Sequence, residues 1–130
     1  SDNIALARWL QEEIDSLLFP AFADQAIPVT DADFTRSGDA ISFWTETVET
    51  EEETVLMTWY DFLEPFMINV PPGSVPGRPH GVYSCFLPAR RAQLTLNDVV
   101  ANGSPLEEKR GERASSTAVL AWSETWTRPY

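Results

Sequence analysis

The sequence predicts an α+β fold: a single domain over residues 1–130, with an N-terminal amphipathic helix packed on a curved, mostly antiparallel sheet or half-open barrel of about six strands. Three observations carry that expectation. Apolar residues near the N-terminus recur at helical spacing. The remaining chain is a succession of short runs rich in β-branched and aromatic residues. Turn residues, not further helical stretches, separate those runs.

The helix is expected over residues 3–19. Leu6, Leu10, Ile14 and Leu17 form a stripe that Trp9 and Leu18 widen, while Glu12, Glu13 and Asp15 fall mainly on the other side. Asp2 or Asn3 can cap its start and Pro20 ends it. Residues 20–40 carry prolines, a glycine and scattered acids without a sustained period, and read as a loop with at most a short strand or turn.

A hairpin follows over 41–62, built from Ile41 to Glu49 and Thr54 to Phe62 and closed by glutamates. The run Val55 to Tyr60 is apolar on both parities, which places it centrally. Phe66 to Val70 is a further strand. Residues 71–81, with four prolines and three glycines, can be neither helix nor central strand and read as an exposed loop or arm. Val82 to Leu87 and Arg91 to Leu96 are read as strands on either side of Pro88, and Asn102-Gly103 as a tight turn. Residues 104–113 are a polar connection, and 114–127 a long terminal strand with Ala118, Leu120, Trp122 and Trp126 on one parity.

Charge narrows the function more than any motif does. The chain has a net charge of −11, but residues 1–64 carry −13 and residues 65–130 carry +2. So acidic a surface is repelled by phosphates, and direct duplex binding is not expected. Eight of the nine bases are arginines, whose planar fork grips carboxylates. The candidate interface therefore pairs Glu49, Glu51, Glu52 and Glu53 with Arg78, Arg90, Arg91, Arg110 and Arg113.

Catalytic and metal motifs find little support. His80 and Cys85 are the only histidine and cysteine, and five residues apart in a strand they would point to opposite faces. Two such ligands are too few for a zinc site. Asp31-Ala-Asp33 fails as a calcium loop, with Arg36 and Ser42 where glycine and glutamate are required. No phosphate loop or nucleophile elbow occurs. With twenty acids any chosen carboxylate pair is uninformative; Glu46 and Asp61, in aromatic-flanked strands, stand out slightly, but a solvated outer face explains them better. The five tryptophans suit a core, an interface or a ligand pocket. No catalytic residue, cofactor or metal is assigned.

The expected role is a non-enzymatic structural or assembly protein that forms a charge-complementary oligomer or complex with copies of itself or a neighbouring subunit. An acidic inhibitor or immunity protein blocking a basic partner such as a nuclease is the first alternative. A small-ligand-binding or enzymatic domain with an aromatic pocket is the second. Size, sheet content and the lack of a catalytic signature fit virion components. The segment Pro79 to Asn97, with Phe86-Leu-Pro-Ala-Arg-Arg-Ala-Gln-Leu-Thr-Leu96, resembles sheet segments of some phage tail-terminator proteins over a short part of the chain and without a diagnostic motif. A single cysteine and the lack of a leader or a long apolar run predict a soluble chain made in the cytoplasm, with no membrane partner.

Overall fold

The computed structural model describes residues 3–18, 30–77 and 79–127. The chain divides into two compact units, Ser1–Ala32 and Asp33–Tyr130. Pro20 and the first part of the expected loop at 20–40 lie outside the described residues.

In the first unit, α1 spans Ile4–Leu18. Asn3 is its cap: the Asn3 Oδ1 accepts from the Leu6 N–H at 3.0 Å, and the Asn3 carbonyl accepts from the Ala7 N–H at 2.9 Å. Ile4, Leu6 and Trp9 are exposed on this helix. Among the described residues no helix is long and apolar enough to cross a membrane.

The second unit is a curled antiparallel sheet. Its strands are β1 (Asp33–Gly38), β2 (Phe43–Glu49), β3 (Thr54–Phe62), β4 (Phe66–Val70), β5 (His80–Leu96) and β6 (Val99–Val100). A small hairpin of β7 (Glu107–Arg110) and β8 (Arg113–Ser116) follows, and β9 (Val119–Thr127) rejoins the main sheet. Every strand pairing described is antiparallel. Trp44 of β2 meets Trp122 of β9 edge to face, with ring centroids 5.7 Å apart. These strands are not neighbours, since β3 and β5 intervene, so the sheet curls far enough to bring them together.

The short strand allowed for at 20–40 is β1, which pairs along its whole length with β2. Two features differ from the sequence reading. The two strands expected around Pro88 are one strand of 17 residues, β5. The continuous strand expected at 114–127 is interrupted at Thr117–Ala118, and its first part pairs back on the "polar connection" as the β7–β8 hairpin.

Pro88 is tolerated inside β5 because of where its missing donor faces. The Pro88 carbonyl accepts from Leu63 N–H at 2.8 Å, while the next residue, Ala89, donates to the Ala118 carbonyl at 2.8 Å. Successive residues of a strand address opposite edges, so the Pro88 nitrogen faces the 63–65 link between β3 and β4, where no ladder bond is required. The same bonds place β3 and β4 end to end along one edge of β5, with β9 on the other. Leu63, Phe66, Leu87, Ala89 and Leu120 are buried around this junction, which is the core of the unit. Each such large side chain contributes about 1.5–3 kcal/mol by leaving water.

The β1–β2 turn rests on Asp39. Its Oδ1 accepts from the N–H groups of Ile41 at 2.8 Å, Ser42 at 2.7 Å and Phe43 at 3.4 Å. Chiefly the Ile41 and Ser42 donors hold the carboxyl at about 2, below its ordinary 3.8. A depressed value means that the ionised form stabilises the fold. That stabilisation is complete above the unfolded-state value and is lost as the pH falls through about 2. The Asp39→Asn variant should therefore melt lower than wild type near neutrality, the gap closing between about pH 4 and about pH 2. A gap that stays constant over that window, measured by circular dichroism, would show that the carboxylate charge does not hold the turn.

Candidate interaction surface

Paired residues of neighbouring strands share a face, so the register assigns every side chain of the sheet. One face carries Thr35, Thr47, Thr45, Thr58, Gln93 and Thr95, with Leu56 and Val100 among them and the Thr45 and Thr58 hydroxyls 3.1 Å apart. At its far end Phe43 pairs Tyr60, and the Arg91 guanidinium sits 4.8 Å above the Tyr60 ring. This face is largely polar.

The other face is apolar. Phe34 pairs Val48, Val48 pairs Val55, Val55 pairs Leu96 and Leu96 pairs Val99, an unbroken row across β1, β2, β3, β5 and β6. The next rank holds Arg36, Glu46, Met57 and Leu94, and the one beyond holds Gly38, Trp44, Trp59 and Ala92. None of the side chains in the first row is buried: Phe34 is 61%, Leu96 46% and Val99 70% exposed. Leu94 is likewise 46% exposed. Apolar side chains this open in a contiguous patch mark a surface that meets something.

Glu46 lies within the apolar face and is occupied there. Its Oε1 accepts from the Trp44 indole Nε1 at 3.1 Å and lies 3.5 Å from Arg36 Nε. Asp61 has a left-handed backbone, φ 59°, and lies 3.6 Å from Arg90 and 3.9 Å from Arg91. The structure therefore does not bring these two acids together as a carboxylate pair. Each is engaged by arginine.

The interface residues expected from sequence separate into groups. Glu49 ends β2, and Glu51, Glu52 and Glu53 form the β2–β3 turn, which the Thr50 hydroxyl fastens by accepting from the Glu52 N–H at 3.2 Å and the Glu53 N–H at 2.9 Å. The β5–β6 turn is tied to the same end, because Asn97 Oδ1 accepts from Thr54 N–H at 2.8 Å and Asn97 N–H donates to the Thr54 carbonyl at 2.9 Å. Asp98 and the first residue of β1, Asp33, join the cluster. All six carboxylates are exposed, and among the described residues none is within ion-pair distance of a cation.

The arginines lie away from the glutamate cluster, in several places. Arg90 and Arg91 lie at the opposite end of the β3–β5 ladder, with Arg90 also 3.3 Å from Glu107. Arg110 bonds Glu108 at 3.0 Å, and Arg113 is held 5.6 Å over the ring of Phe66. Arg78 lies outside the described residues. Three of the expected arginines thus already have carboxylate partners within the chain.

A separate open cavity of about 560 Å³ is lined by Phe66, Met67, Cys85, Glu64, Glu112 and Arg113. His80 and Cys85 both belong to β5 at opposite parity, so the imidazole and thiol leave the strand on opposite faces.

Sequence reasoning named the glutamates but missed Phe34, Leu94, Leu96 and Val99. The alternation along β5 could have shown that Ala92, Leu94 and Leu96 share a face. The Asn97-Asp98 turn could have placed Val99 opposite Leu96, but nothing local could have shown that Phe34 continues their rank. Comparison with family models, curated proteins and solved structures gives no match.

Proposed function

We propose that the protein is a non-enzymatic assembly subunit that docks on another protein chain through the apolar face of its sheet. The observation that carries this reading is the row Phe34, Val48, Val55, Leu96 and Val99, in which Phe34, Leu96 and Val99 are exposed and Val48 and Val55 half-buried. An open apolar row costs solubility unless a partner covers it, and the carboxylates at its end supply a field that orients the encounter. Virion parts are one setting for such a subunit.

A photoreactive amino acid at Val99, in the full chain in its host cell, should give a discrete cross-linked adduct. The same probe at Gln93, exposed on the opposite face, should not. Equal labelling from both positions, or from neither, would remove the reading. Leu96→Glu should abolish the Val99 adduct while leaving the melting temperature within about 2 °C of wild type, because exposed substitutions usually change stability by less than about 0.5 kcal/mol.

The alternative of an acidic inhibitor is favoured by one specific feature, the six carboxylates without a nearby cation among the described residues. It predicts inhibition of a basic enzyme that is lost when Glu51, Glu52 and Glu53 become glutamine, whatever happens to the apolar row.

A further inference from the structure

We infer that the occupant of this face is a basic amphipathic helix of a partner protein, laid across the strands over the Phe34 to Val99 row. The inference rests on the docking reading above and adds the chemistry of the partner.

Dimension and charge select it. The row crosses five neighbouring strands, and four inter-strand steps of about 4.8 Å make it about 19 Å long. At 1.5 Å per residue this is the length of a helix of about 13 residues. The second rank, with Met57 and Leu94, lies about 7 Å behind, so two ranks match the apolar stripe of a helix about 10 Å across.

Beyond the row, on the side of the turns, stand Glu51, Glu52, Glu53 and Asp98, with Asp33 and Glu49 at the same end on the opposite face. These turn residues are within about one Debye length of a helix seated on the row. Lysines or arginines along one flank of the bound helix would neutralise them. The other flank meets the Arg36–Glu46 ion pair, which is already neutral.

The competing occupants fit less well. A second copy brings the same six carboxylates and a net charge of −11. The chain's own α1 carries Arg8 against Glu12, Glu13 and Asp15, the wrong sign for this rim.

The test titrates the full chain with a designed leucine–lysine peptide of about 14 residues patterned at helical period. Two controls are its isomer at period two and a leucine–glutamate helix of the same pattern. The helical leucine–lysine peptide should bind at least about ten-fold more tightly than either control, by calorimetry at about 150 mM salt. Leu96→Glu with Val99→Glu should abolish that binding. Glu51→Gln, Glu52→Gln and Glu53→Gln together should weaken it several-fold and flatten its salt dependence.

Equal binding of the period-two isomer, or binding that survives the row variant, would overturn the inference, since charge alone would then explain it. Light scattering distinguishes this failure from failure of the docking reading. A concentration-dependent dimer abolished by the row variant would make a second copy the occupant, overturning the basic helix but keeping the docking face. Peptide binding that strengthens in Leu6→Glu would make α1 the resident cover and overturn the inference likewise. No peptide binding, no self-association and no Val99 adduct would remove both.

Discussion

Phe66→Ala is expected to cost about 3–5 kcal/mol, because it empties the centre of a small core. Phe66 is 8% exposed and stacks on Phe86, with centroids 5.3 Å apart and planes 19° from parallel. The Arg113 guanidinium also lies over its ring, 5.6 Å from the centroid, which ties the β7–β8 hairpin to β4. Besides Phe66, the buried apolar side chains described are Leu63, Pro72, Leu87, Pro88, Ala89 and Leu120. Since domains of this size are stable by only about 5–15 kcal/mol, one such loss is a large fraction of the whole.

The expected readout is a fall of more than about 10 °C in melting temperature, with an unchanged denaturant slope. Phe66→Leu, which keeps most of the volume, should cost less than about half as much. A change below about 1 kcal/mol for the alanine variant would mean that the Phe66–Phe86 stack is not the centre of the core. The cavity beside Phe66 is open to solvent. Relaxation into it should bring the cost towards the lower end of the range, as in cores that can partly collapse.

The second large effect is expected at Gly38, where β1 enters its turn with φ +120°. A Cβ there would collide with the Phe43 carbonyl oxygen and lie 2.9 Å from Trp44 Cα and 3.1 Å from the Phe43 carbonyl carbon. These are backbone atoms and cannot swing aside. The backbone conformation itself is one that residues other than glycine rarely adopt. Conformational strain of about 1–3 kcal/mol adds to the collision, so Gly38→Ala should cost about 3 kcal/mol or more.

Because β1 is an edge strand, part of that cost should appear as detachment and not as global unfolding. Hydrogen exchange should show β1 amides losing protection while those of β3 and β5 keep theirs. Gly73→Ala is the control: it has a positive φ of 75° but nothing within 4 Å of its Cβ position, so it should cost about 1 kcal/mol. Equal effects at the two glycines would show that the contact with Phe43 is not the cause. Detachment of β1 would also withdraw Phe34 from its row, so Gly38→Ala should weaken docking without touching a docking residue.

The sequence by itself determined the strands with strong local patterns, the acidic character of the β2–β3 turn and a helix cap at Asp2 or Asn3, of which the structure uses Asn3. These depend on residues a few positions apart, and alternation, turn chemistry and capping are read at that range. It did not determine β1, whose residues Asp33–Gly38 lack an apolar alternation and become a strand through pairing with β2. It misread Pro88 because the harm done by a missing donor depends on which edge of the strand it faces, and that is known only once β3, β4 and β9 are in place. It set the glutamates against arginines of a neighbouring copy or partner, and only the fold shows that within the chain Arg90 and Arg91 already lie beside Asp61. The joining of the two local pairs Val48–Val55 and Leu96–Val99 into one row was decided by tertiary structure. It depends on the pairing of Val55 with Leu96, residues far apart in the chain, and a shift of one residue in that pairing would send the whole apolar set of one strand to the other face.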